Sequence, residues 1–292
     1  MKLTRRHLLA LSAAALLPTG AARAIAPRPD TLFHWNSGGP FFGGFSAIEV
    51  SADRTRALLV SDRGFGVRLR LLRDGAGRLA DVEKIDHFVL HGSDGRPLTG
   101  HARDAEGIAQ APDGTLFVAI EGGRNRVYRH ADPAGPAVEL PRAAGWRGLP
   151  GNQGLEGLAL DAEGRLYALP ESPQDGGFAL YRLQRGDWSV IGHLPQRDGF
   201  VPVGLDFGPD GNLYLLERKF RLAFFATRIS RLRPGAWDRP ETLADTAFGT
   251  MDNHEGIAVT RDSGGQLWAT TVSDDNQNRL QRTEIAEFRL PG

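Results

Sequence analysis

The 292-residue sequence has no cysteine, and Lys84 and Lys219 are its only lysines beyond Lys2. The first absence excludes disulfides and thiol nucleophiles, so stability has to come from the packed core. The second leaves arginine to carry nearly all positive charge and any binding of phosphate. Lys and Arg together number 35, as do Asp and Glu, and no basic patch or block of like charge stands out. Nucleic acid is therefore excluded as an expected partner. No helical periodicity persists past the N-terminus. A Gly-x-Ser-x-Gly elbow is missing too: around Ser46 the chain reads Gly44-Phe45-Ser46-Ala47-Ile48. There is no His-Glu-x-x-His zinc motif and no phosphate-binding loop.

What the N-terminus does have is an export pattern over residues 1–24. A basic start is followed by an apolar stretch from Leu8 to Leu17 and by Ala22-Arg23-Ala24 before the expected cut. The stretch is too short for a permanent membrane anchor. Thr4-Arg5-Arg6-His7-Leu8-Leu9 resembles a twin-arginine signal, which predicts the twin-arginine translocase as a partner during export and a periplasmic or secreted protein. Removing Lys2, Arg5, Arg6 and Arg23 leaves 31 basic against 35 acidic residues in one mature domain, 25–292.

That domain repeats. A small-residue apolar strand recurs as "FSAIEV" at Phe45, "EGIAQA" at Glu106, "EGLALD" at Glu156, "VGLDFG" at Val203 and "EGIAVT" at Glu255. Each is followed by a Gly-, Pro- or Asp-containing turn and a returning strand: "RALLVSD", "TLFVAIE", "RLYALPE", "NLYLLER" and "QLWATTVSD". Third strands ("GVRLRLL", "RVYRH", "FALYRL", "TRISRLR") and weaker fourth strands ("DHFVL", "WSVIGHL") complete most units. Four short antiparallel strands at a spacing near 50 residues predict an all-β β-propeller. The last unit has three strands, ending in "RTEIAEFRL", and "DTLFHWN" supplies a spare before the first unit. That strand would close the ring and leave no free edge. Five blades follow, with six possible if the long first unit divides.

Three units open on an acid. Inner strands of a propeller line its channel, so Glu106, Glu156 and Glu255 are predicted to converge at one mouth, with Ser46 and Val203 as their counterparts. Gly107 and Ala109 form a tiny second face that lets the next blade come close. The returning strands end at the same mouth, in Asp62-Arg63, Glu121, Glu171, Glu217-Arg218 and Asp274-Asp275. Gathered carboxylates repel one another and resist burial unless a cation compensates them. Oxygen-only donors favour calcium or magnesium. The candidate metal ligands are Glu106, Glu156, Glu255, Asp62, Glu121 and Asp274. An acid before glycine can equally accept backbone N–H groups or pair with arginine. The convergence of five polar strand ends is what predicts a pocket. His254 and Glu171 are candidate bases, and Arg63 and Arg218 are candidate stabilisers of negative charge. His101 also precedes an acidic position, where a plain rim role serves as well.

"DAEGIAQAPDGTLFVAIEGG", "NQGLEGLALDAEGRLYALPESP" and "DNHEGIAV" with "SDDNQNRLQRTEIAEFRL" resemble the phytase-like domain family, whose bacterial members are called esterase-like activity of phytase proteins. Ser273-Asp274-Asp275-Asn276 with Leu280-Gln281-Arg282-Thr283 is the most specific part, and "GGFSAIEV" with "LLVSDRG" resembles the opening blade. The resemblance runs from about Phe41 to Leu290 and implies an exported propeller that hydrolyses esters or phosphate esters. Propeller phytases hold phosphate groups and activate water with calcium ions at an acidic channel mouth. This chain departs from a full acidic set at Val203. Three functions are expected from it: a calcium-dependent hydrolase of small phosphate or carboxylate esters, a non-catalytic binding propeller with a structural cation, or a lactonase.

Overall fold

The computed structural model describes residues 28–122, 124–151 and 153–292; the expected export signal lies outside them. The described chain forms five four-stranded antiparallel sheets, which settles the blade count at five. Strand β1 (Thr31–His34) waits for the last blade. Blade 1 is β2 (Phe45–Val50), β3 (Arg56–Ser61), β4 (Phe65–Arg73) and β5 (Leu79–Val89). Blade 2 is β6 (Ala105–Gln110), β7 (Leu116–Ile120), β8 (Arg126–His130) and β9 (Ala137–Glu139). Blade 3 is β10 (Leu155–Leu160), β11 (Leu166–Pro170), β12 (Gly177–Gln184) and β13 (Asp187–Pro195). Blade 4 is β14 (Val201–Phe207), β15 (Leu213–Arg221), β16 (Phe224–Leu232) and β17 (Glu241–Asp245). Blade 5 is β18 (His254–Arg261), β19 (Leu267–Ser273) and β20 (Glu284–Leu290), with β1 paired antiparallel to β20 as its outer strand. The N-terminal strand thus closes the ring as the repeat pattern predicts. The short outer strands β9 and β17 carry too few apolar residues to stand out in sequence.

The core lies between blades. Leu216 and Ile229 of blade 4, for example, pack with Ile257 and Val259 of blade 5. The glycine after each acid permits this closeness. A Cβ on Gly157 would stand 2.9 Å from the Leu205 Cβ, and one on Gly107 would fall on the Glu156 carbonyl oxygen. Ile48, Ile108, Leu158, Leu205 and Ile257 follow two residues after the acidic positions and fill the channel. They leave a central cavity of ≈ 10 Å³, room for about one water. The channel is therefore plugged, and its two mouths are separate environments. At the mouth away from the acids, Glu49 accepts a hydrogen bond from the Gln110 N–H (2.9 Å) and Asp206 from the Val259 N–H (2.6 Å). These tie inner strands of neighbouring blades together. Among the described residues no helix is long and apolar enough to cross a membrane.

Candidate functional site

Every inner strand carries a β-bulge at one place: between Phe45 and Ala47, Ala105 and Gly107, Leu155 and Gly157, Pro202 and Gly204, and His254 and Gly256. The extra residues are Ser46, Glu106, Glu156, Val203 and Glu255. A bulged residue escapes the ladder, and the local bend re-aims its side chain. The acids are therefore presented by the bulge, which simple strand alternation does not predict. Glu106, Glu156 and Glu255 converge as expected around the top of the plugged channel.

The returning strands add a second ring. The backbone N–H groups of Asp62, Glu121, Glu171 and Asp274 donate to the carbonyls of Gly44, Asp104, Gly154 and Asn253, each two residues before a bulge. Arg218 takes the same place in blade 4, opposite Val201. Blade 4 has no acid at either ring position, and it supplies the arginine. Its guanidinium donates through Nη2 to Glu171 (2.9 Å), and through Nη1 to Asn253 (2.8 Å) and to Glu255. Asn253 Nδ2 also donates to Glu255 (2.9 Å). Arginine thus holds two of the repeated acids, Glu171 in blade 3 and Glu255 in blade 5.

On the other side the carboxylates are left to one another. Asp104, Glu106 and Glu121 each bring one oxygen within 4.8 Å of the others. Glu121 accepts the Gly154 N–H. Among the described residues no arginine, lysine or histidine forms an ion pair with Asp62, Asp104, Glu106, Glu121, Glu156 or Asp274. Burial raises the Glu106 carboxyl well above the usual range, and Glu156 and Glu255 add to it. Glu156 is raised likewise, by burial and then by Glu171 and Glu255. Burial pushes Glu121 up to about 7, Asp62 to about 6 and Asp274 to about 8, with neighbouring carboxylates contributing to each. Arg218 moves the other way in effect: burial opposes its charge, yet Glu255, Glu171 and Glu156 outweigh burial and raise its pKa. Buried acids with raised pKa values must take up protons or a cation near neutral pH.

A hard divalent cation fits these donors. Oxygens that share one calcium at about 2.3–2.6 Å lie no more than about 5 Å apart, and the Asp104–Glu106–Glu121 oxygens meet that limit. Of the six ligands expected from sequence, Glu106 and Glu121 lie in this cluster. Glu156 adjoins it, Asp62 and Asp274 stand on its flank, and Glu255 is shared with Arg218. Asp104 and Asn253 escaped the sequence reading. Their signal was positional, since both sit two residues before a bulge acid.

The other candidates are more dispersed. Arg63 donates through Nη1 to the Phe42 carbonyl (3.1 Å) and lies over the Phe65 ring, beside Asp62. His254 is fully buried, its Nδ1 2.7 Å from Thr271 Oγ1 and its Nε2 3.4 Å from Glu284 Oε2. Both contacts lie within blade 5. His101 falls in a short 3-10 turn, Gly100–Arg103, at the rim.

Among solved structures, the chain is similar to Bacteroides ovatus xyloglucan PUL GH43B, with 16% identity, 88% of this chain and 54% of that chain covered, and a TM-score of 0.51. It is also similar to Kuenenia stuttgartiensis hydrazine synthase (12% identity, 82% and 59% covered, TM-score 0.43). A gluconolactonase from Xanthomonas campestris matches at 14% identity, with 85% and 72% covered and a TM-score of 0.47. The chain thus spans little more than half of the first two proteins, and at these identities the likeness concerns fold. No curated protein matches the sequence. A family model described as phytase-like, esterase-like activity of phytase, matches residues 40–277. That match spans most of the chain and contains both rings of the acidic mouth: the protein belongs to the phytase-like family.

Proposed function

We propose that the protein is an exported hydrolase of phosphate or carboxylate esters that works at the acidic mouth with a bound divalent cation, calcium by its donor set. The observation that carries the reading is the uneven compensation of the mouth. Eight carboxylates converge there, and Arg218 pairs with only two of them, Glu171 and Glu255. Asp104, Glu106 and Glu121 would hold the cation, with Glu156, Asp62 and Asp274 completing its surroundings. When bound there, such a cation would supply acidification of water and polarisation of a carbonyl or phosphoryl group. Arg218 would stabilise the negative charge that develops on the substrate as the ester is attacked. Glu171, hydrogen-bonded to Arg218, takes a proton from water as it attacks and returns that proton to the alkoxide as the ester C–O or P–O bond breaks and the alcohol departs. Arg63 adds positive charge at the rim. His254, enclosed by Thr271 and Glu284, keeps blade 5 in shape and does not meet the substrate. Export through the twin-arginine translocase to the periplasm or beyond is supported by the pattern of residues 1–24.

The test is metal analysis of the purified protein, with release of phosphate and p-nitrophenol, and opening of lactones, followed with calcium and with chelator. Bound calcium in stoichiometric amount and chelator-sensitive turnover are expected, with Glu106→Gln inactive. No turnover of any phosphate ester, carboxylate ester or lactone would sink the hydrolase reading. The second reading is a binding propeller with a structural cation, favoured by the tight pairing of Arg218. It gains if calcium raises the melting temperature and nothing is hydrolysed. Lactone turnover exceeding that of open-chain and phosphate esters would identify a lactonase.

A further inference from the structure

Blade 4 differs from the others above its ring position. In blade 1 the ladder between second and third strands closes at Ser61↔Phe65, and in blade 2 at Ile120↔Arg126. In blade 4 it runs past Arg218↔Thr227 through Lys219↔Ala226 and Phe220↔Phe225 to Arg221↔Phe224. Three further pairs at about 3.3 Å rise per residue lift the hairpin roughly 10 Å above the mouth. Its tip is apolar and exposed: Phe220 is 63%, Leu222 79% and Phe224 57% accessible. The two-residue turn has positive φ at both Leu222 (50°) and Ala223 (69°). Such a turn favours Asn-Gly, so neither residue serves the turn itself.

Side chains alternate along a strand, so Phe220 shares a face with Arg218 and with Leu216, which packs toward blade 5. Phe225 lies across from Phe220 on that face, ring centroids 4.9 Å apart. The wall thus rises directly above the arginine that reaches into the mouth. One neighbouring connection adds an exposed apolar residue: Phe248 between β17 and β18, in a loop whose Gly249 N–H bonds the Phe225 carbonyl. The remaining large exposed apolar residues, Leu72, Ile85, Val138, Val190 and Leu280, are scattered singly over β4, β5, β9, β13 and the β19–β20 connection. Gathered exposed apolar surface marks a contact site where scattered residues do not.

We propose that the 220–225 hairpin is a subsite for the apolar acyl chain of an ester whose reacting group sits at the acidic mouth. This rests on the hydrolase reading and names its substrate class. Lys219 is taken up by the Asp198 carbonyl, which leaves Arg221 as the further cation of the tip; an anionic lipid surface calls for a cluster of Lys and Arg, whereas a neutral chain needs none and buries against Phe220 and Leu222.

The experiment compares the wild type with the double variant Phe220→Ser, Leu222→Ser on p-nitrophenyl acetate and hexanoate. Titration calorimetry with acetamide and hexanamide, the unhydrolysed counterparts, runs alongside. Both changes are exposed, and an unaltered melting temperature verifies folding. In the wild type, kcat/KM for hexanoate should exceed that for acetate at least about tenfold. The variant should lose this preference, its kcat/KM for hexanoate falling toward that for acetate, and only the wild type should bind hexanamide more tightly than acetamide. An equal chain-length preference in both proteins, or hexanamide binding that ignores the hairpin, overturns the subsite. Hairpin-dependent binding to phosphatidylglycerol vesicles without hexanamide binding overturns it in favour of a lipid surface. If hexanamide binds through the hairpin but no ester is turned over, the subsite stands and the hydrolase reading falls.

Discussion

Glu287 and Glu106 are both buried glutamates on strands of the same propeller, and their carboxyls are shifted in opposite directions. Glu287 is completely buried, and Arg54 and Arg73 each donate to it at 2.8 Å. Burial alone would raise its pKa, but the two arginines outweigh burial and lower it. Glu106 has no such partner among the described residues, and burial with Glu156 and Glu255 raises it. Burial is common to both; the counter-charge decides the sign. A carboxylate buried for the fold's sake comes with arginines, whereas of the eight acids at the mouth Arg218 pairs with Glu171 and Glu255 alone. Glu49 and Asp206 at the opposite mouth form an intermediate case. Burial pushes Glu49 to about 7 and raises Asp206, which Glu49 raises further, but each accepts a backbone N–H that gives it a structural role.

The largest break in this comparison comes from Glu287→Gln. It leaves Arg54, itself buried, with Asp262 at 4.0 Å as its remaining charge partner and should cost about 3–5 kcal/mol in denaturant unfolding. Arg218→Met should cost less, about 2 kcal/mol, because Glu171 and Glu255 can take up protons once the arginine is gone. It should also abolish turnover while leaving calcium binding at Asp104, Glu106 and Glu121 measurable by calorimetry.

The pH dependence separates the two classes of acid. Folded-state pKa values of about 6 for Asp62, 7 for Glu121 and 8 for Asp274 lie above those of the unfolded chain. The folded protein then binds more protons than the unfolded one, so stability falls as pH rises. Melting temperatures of calcium-free protein should drop between pH 5 and about 8, and saturating calcium should flatten that slope. Glu287 and Glu284 are lowered and give the reverse trend, with stability lost only as pH falls below about 4.5. A calcium-free protein equally stable at pH 5 and 8 would contradict the raised set. The smallest expected effect is that of Glu106→Gln on stability. Removing one repelling, poorly solvated charge should raise metal-free stability at pH 8 by about 1 kcal/mol in the same denaturant assay, while calcium binding is lost. Loss of stability would mean that Glu106 has a counter-charge after all.

Much of this was legible in the chain. The near-50-residue spacing gave blades, the spare "DTLFHWN" strand gave closure, and antiparallel return gave the meeting of Glu106 with Glu121 and of Glu156 with Glu171. Glycine after each acid announced close packing of blades. Those features are local or periodic, and periodicity survives in one dimension. Other features were not legible. Alternation put Glu106 on a strand face, whereas a bulge presents it to the mouth. Asp104 looked like a loop residue, and His254 looked like a rim base although its ring is locked between Thr271 and Glu284.

By itself, then, the sequence determined a propeller ring of five or six blades with polar strand ends at one mouth, because hydrophobic period and turn chemistry dictate strands and their direction. Only the tertiary structure decided which charge stands between the repeated acids. Arg218 is separated from Glu171 and Glu255 by 47 and 37 residues. Such partners meet only when the ring closes. Once it has, one arginine answers two acids, and the carboxylates around Asp104, Glu106 and Glu121 are left facing one another.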